Sequence, residues 1–141
     1  MLLQLLFALA VASLTVVVHA LGTVRIVVPL AGVWGRSNRH PTSAHTVLIL
    51  TRLVGGLLVL HLAEAAIWAA AFRATGVLPT FETSLCYSLE SYTTVGYGNV
   101  VPQESWRLVG PIESAVGILM LGWSTGIIVA AVQRIYRAAG E

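Results

Sequence analysis

Three long apolar stretches, separated by short breaks rich in glycine, proline and charge, set the pattern of the chain. From Met1 to about Val24 only Gln4, Ser13, Thr15 and His19 interrupt the apolar run. At about 1.5 Å per helical residue, roughly twenty such residues cross a bilayer core of about 30 Å. A cleaved signal peptide is the competing reading, with Val17-Val18-His19-Ala20 as its cleavage region. The run is too long for that and lacks a basic start, so residues 1–24 are expected to form a transmembrane helix. Arg25, Pro29, Gly32, Gly35, Arg36, Asn38, Arg39, His40 and Pro41 then predict a basic, turn-rich connector over 25–45, with room for a short interfacial helix. Residues 46–72 form the second span, closed by Arg73, Gly76 and Pro79, with Trp68 and Phe72 where aromatic rings favour the interface. Residues 81–93 are too few and too polar to cross. Thr80 suits an N-cap there, and Glu82 suits the positive end of the helix dipole. A third span over 107–132 runs out into Arg134 and Arg137. Residues 46–141 therefore read as one unit behind an additional N-terminal helix. The expected fold is all-α and membrane-embedded, with three transmembrane helices and one short re-entrant helix.

Composition agrees: 57% of 141 residues are hydrophobic and 10% charged, which excludes a soluble globule. Every cation is an arginine and every acid a glutamate, and no basic face points to nucleic acid. Arginine clusters on the 25–45 loop and after the third span. The positive-inside rule then puts that loop and the C-terminus in the cytoplasm and the N-terminus outside. A single cysteine, Cys86, allows no disulfide within the chain.

The segment that an ordinary membrane protein does not need follows the short helix: Thr94-Val95-Gly96-Tyr97-Gly98, inside Ser91–Asn99. Two glycines two residues apart let the backbone alternate the sign of φ. Successive carbonyls can then face one side. Four copies around an axis would stack rings of oxygens able to replace the hydration shell of a potassium ion, with the Thr94 hydroxyl adding a further ring. Non-helical backbone at membrane depth is tolerated only when buried in protein or lining a water path. The chain contains one such loop and no internal repeat, so closure is expected from a homotetramer.

This pentapeptide, preceded by a short helix and flanked by spans, resembles the signature of the pore-loop potassium channels, the two-helix ion channel family. The resemblance extends over about Leu57 to Val132. It implies a tetrameric pore with K+ ions bound by Thr94, Val95, Gly96 and Tyr97, and no other cofactor. Outer helix 46–72, pore helix 81–93, filter 94–98 and inner helix 107–132 are its expected parts. In bacterial members a pore-helix glutamate pairs with an aspartate after the last glycine. Glu90 stands in the first place, but Asn99 stands in the second. Cys86-Tyr87 replaces a pair of tryptophans, which thins the aromatic support around Thr93 and the filter. Gly117 and Gly122 fall where such channels have flexible or close-packing glycines, and plain packing, with Gly126, is the simpler role. Ile118, Leu121 and Thr125, at steps of three and four, are expected to line a cavity below the filter. Gly122–Gly126, and His61, Glu64 and Trp68, are similar to a subgroup of small bacterial channels with an extra N-terminal helix.

Ionisable groups inside the spans each cost about 2.5–3.5 kcal/mol at the bilayer centre and need a reason. His61 and Glu64 share a helix face. Glu64 lies roughly 12 Å below the outer end of its span, and Glu113 about 9 Å inside the next. Both depths match the short helix. One expectation is a single hydrogen-bonded cluster of His61, Glu64, Glu113 and Ser88 that braces the short helix and senses protons; bracing alone is the plainer alternative. A metal site built on His61-x-x-Glu64 has suitable spacing but no further His or Cys partner at that depth.

No span carries arginine at every third residue, so no ordinary voltage sensor is expected. With nine residues after 132, no nucleotide- or calcium-binding domain is expected. Gating is expected from the filter, the membrane, pH or a separate regulatory partner. The expectation is a homotetrameric, potassium-selective channel in a bacterial inner membrane, without enzymatic chemistry. A weakly selective cation channel and a non-conducting membrane scaffold or sensor subunit remain the alternatives.

Overall fold

A computed structural model describes residues 1–36 and 43–140, and among these every regular element is helical. Three long helices, α1 (Leu2–Arg36), α2 (Ser43–Ala74) and α4 (Val109–Gly140), surround one end of a short helix, α3 (Phe81–Tyr92). Each long helix contains a stretch long and apolar enough to cross a bilayer: Leu2–Leu30, Ser43–Ala74 and Glu104–Arg137, the last including a 3-10 turn at Glu104–Trp106. The chain is an all-α membrane protein.

The first helix corrects one boundary. Instead of ending near Val24 in a connector, α1 continues through Arg25 and Pro29 to Arg36. A proline inside a helix removes one backbone donor, which membrane helices tolerate, and Ile26, Val27, Val28 and Leu30 keep the segment apolar. Residues 37–42 of the expected connector lie outside the described residues. The second long helix likewise extends past 46–72 at both ends, while the third starts at Val109, two residues after the expected 107, and runs on past 132.

Small residues set the approach of α1 to α2. A Cβ on Gly22 would collide with the Leu60 side chain, and one on Gly56 would crowd Ile26 at 3.2 Å. In lipid, such close backbone approach gains dispersion contacts that larger residues would block. These pairs fix α1 antiparallel to α2. Phe7 meets Trp106 edge to face at 5.3 Å, while His19 meets Trp123, so α1 runs parallel to α4.

Helix α3 starts where the sequence supplies a cap: Thr80 Oγ1 accepts the Thr83 N–H at 3.1 Å. Its buried face carries Ser84, Tyr87, Ser88 and Tyr92. Tyr87 packs edge to face on Phe72 of α2 at 5.2 Å, and its hydroxyl stands over Gly110 of α4. Trp68, Phe72, Tyr92 and Val109 form the centre of the core at this level, with Ala8 and Val11 contributed by α1. A second core joins Leu53, Leu57 and Ala131 at the opposite end of the helices. The short helix thus occupies one half of the bundle and points its C-terminus toward the middle.

Candidate functional site

Thr94–Gly98 follows α3 after a tight turn. Thr93 caps the helix through its N–H to the Leu89 carbonyl at 3.1 Å and its hydroxyl to the same carbonyl at 2.6 Å. Beyond it φ is positive at alternate residues: Thr94 at 62°, Gly96 at 55° and Gly98 at 76°. Glycine takes this conformation freely, whereas a β-branched threonine does so at a cost of about 1–3 kcal/mol. Two backbone bonds hold it there, Thr94 N–H to Ser91 O at 3.0 Å and Gly96 N–H to Glu90 O at 3.2 Å. The segment is exposed on the single chain, with Val95 at 55% and Tyr97 at 75%. Thr93 and Asn99 are exposed too.

Glu90 is half-buried, and no hydrogen bond joins its side chain to Asn99 among the described residues. Tyr87 faces Phe72 and α4, while Cys86 is exposed on the other side of α3. A groove of about 450 Å³ opens beside the segment, lined by Glu90, Ser91, Thr94, Gly96, Ser114 and Ile118.

On α4, Gly117 is buried against the backbone of Tyr92, where a Cβ would collide with the Tyr92 carbonyl. Gly122 and Gly126 face open space. Ile118, Leu121, Gly122 and Thr125 lie exposed together along one side of the helix.

The ionisable residues at this depth form two groups instead of the single expected cluster. In the first, the fully buried Glu64 carboxylate accepts from His19 Nδ1–H at 2.9 Å and from the Tyr92 hydroxyl, with His61 Nδ1 at 3.3 Å. His61 Nδ1 also meets the Tyr92 hydroxyl at 3.0 Å, and its Nε2 meets Ser124 Oγ at 2.9 Å. The Trp123 ring covers His19 at 5.2 Å. One residue from each of α1 and α3 and two from α4 thus converge on two from α2. In the second group, Ser88 Oγ contacts both the Ala65 carbonyl, at 2.7 Å, and the Glu113 carboxyl. Ser88 has one hydroxyl proton for those two oxygens. Both contacts are hydrogen bonds only when the Glu113 carboxyl carries its own proton and donates it to Ser88.

Sequence reasoning missed His19 and Tyr92 in the first group. His19 read as an interruption of an apolar span and as part of a competing cleavage region. The spacing of His19 from Gly22, the glycine that lets α1 approach α2, is the signal that could have faced it toward Glu64.

Comparison with known proteins adds the family. The family model described as "Ion channel" matches residues 47–134, from α2 through α3 and the Thr94–Gly98 segment into α4. Helix α1 and its His19 lie outside the match. No solved structure matches the chain. With well over half of its length accounted for in this way, the chain belongs to the ion channel family.

Proposed function

We propose that four copies of the chain assemble into a potassium-selective channel, with Thr94–Gly98 as its filter. The observation that carries this reading is the alternation of φ at Thr94, Gly96 and Gly98 at the C-terminal end of α3. Alternation turns consecutive carbonyls of Thr94, Val95, Gly96 and Tyr97 toward one axis, where K+ would exchange water for backbone oxygen. The partially negative end of α3 adds a field that favours a cation there.

The exposure of the segment supports four copies. Unpaired backbone polar groups cannot face lipid. The groove between Glu90 and Ile118 has the place and the lining to take the same segment of a neighbouring copy. Ile118, Leu121 and Thr125 then line the cavity on the cytoplasmic side. The N-terminus lies outside and the arginine-bearing ends of α1 and α4 inside, in a bacterial inner membrane.

A weakly selective cation channel is the second reading, favoured by the missing bond between Glu90 and Asn99. Native mass measurement of the purified protein tests the assembly. Four chains per particle, with cation current after reconstitution, is the expected result. A monomer or dimer without current overturns the channel and leaves the scaffold reading.

A further inference from the structure

We infer that His19, His61 and Glu64, completed by the Tyr92 oxygen, form a site for one divalent transition-metal ion of the Zn2+ type. One donor atom from each of the first three residues lies within 4.8 Å of the others. In a tetrahedral Zn2+ site, bonds of about 2.0–2.2 Å place donors about 3.3 Å apart. Here His61 Nδ1 and Glu64 Oε2 are 3.3 Å apart, and His19 Nδ1 and Glu64 Oε1 are 2.9 Å apart. The Tyr92 oxygen is 3.0 Å from His61 Nδ1 and hydrogen-bonded to Glu64, so it would have to draw back from the carboxylate to act as the fourth ligand. Seating the ion would replace the hydrogen bonds that now join these groups.

The donors select the metal. Two imidazoles and a carboxylate suit Zn2+ and its neighbours, whereas Ca2+ and Mg2+ take oxygen alone. For His61 the surroundings match what a metal-bound histidine needs: Nε2 lies 2.9 Å from Ser124 Oγ, and in the tautomer that donates there the Nδ1 lone pair is left for the ion, whereas His19 Nε2 has no hydrogen-bond partner among the described residues.

Glu64 is fully buried at membrane depth among two histidines and a tyrosine, and a bound dication would offset its negative charge there. His61, 12% exposed, is the point of entry. The ion would cross-link α1 and α2 to the last residue of α3, two positions before Thr94.

The test uses the purified chain without an affinity tag, stripped by chelator and equilibrated with ZnCl2 or CoCl2. Elemental analysis is expected to give one zinc per chain, and Co2+ the strong visible absorption of a four-coordinate site. His19→Ala is expected to weaken binding at least tenfold. Ser124→Ala, which leaves every ligand in place, is expected to weaken it about 10–100-fold. Absence of bound metal, a weak six-coordinate Co2+ spectrum, or unchanged binding in a folded His19→Ala or Ser124→Ala variant would overturn the site. Metal content is read without current, so the result stands apart from whether the pore conducts.

Discussion

Gly117 of α4 lies directly against the backbone of Tyr92, the last residue of α3. Nothing larger than hydrogen fits between them, because an added Cβ would meet the Tyr92 carbonyl. The start of the Thr94–Gly98 segment is thereby fixed to the middle of α4. Gly117→Ala should push the two helices apart at a cost of about 1–3 kcal/mol. Thermal denaturation in detergent should show this loss, while Gly122→Ala, facing open space on the single chain, should cost far less. Equal losses would mean that Gly117 is not the tight contact.

Glu64 and Glu113 are both buried carboxyl groups, yet replacing each by glutamine should have unequal effects. Glu113 needs a donor toward Ser88, and an amide supplies one, so Glu113→Gln should change stability by less than about 1 kcal/mol. Glu64 accepts from His19 and Tyr92, and an amide offers only one oxygen with an N–H aimed at a donor. Glu64→Gln should therefore cost about 1–3 kcal/mol. Chemical denaturation of the two variants in parallel checks the order.

Tyr92→Phe removes the hydroxyl that donates to Glu64 and meets His61. Leaving buried polar groups short of a partner should cost about 1–3 kcal/mol. Ser88→Ala should cost a similar amount, because the Ala65 carbonyl and the Glu113 carboxyl both lose their partner. The two losses should add within about 0.5 kcal/mol in the double variant, since the groups share no hydrogen bond. Strong coupling would instead point to a single network.

Gly22→Leu would overfill the contact with Leu60 and should loosen α1 from α2. The expected readout is faster proteolysis or hydrogen exchange in α1, with α3 and α4 less affected.

Much of the fold could be read directly. Spans announce themselves by length and hydropathy, and α3 by its Thr80 cap and its polarity. The course of α1 beyond Val24 could not, because Pro29 breaks helices in water but is tolerated in a membrane helix, and Arg25 interrupts the apolar run without ending the helix. The split of the ionisable residues into two groups was hidden for a different reason. Helices apolar on every side carry no amphipathic face, so periodicity does not say which residues of α1 meet α2. His19 and Glu64 lie 45 residues apart and meet where the Gly22–Leu60 and Ile26–Gly56 contacts bring α1 against α2. The alternation of φ at Thr94–Gly98 was legible in part, since its two glycines demand it and Thr94 does not.

A potassium-selective path through Thr94–Gly98 would be read from the reversal potential of purified protein reconstituted in a planar bilayer, with potassium on one side and sodium on the other. Current should reverse near the potassium equilibrium potential. A reversal near zero would contradict selectivity and favour the weakly selective pore, and silence at every voltage would contradict conduction altogether.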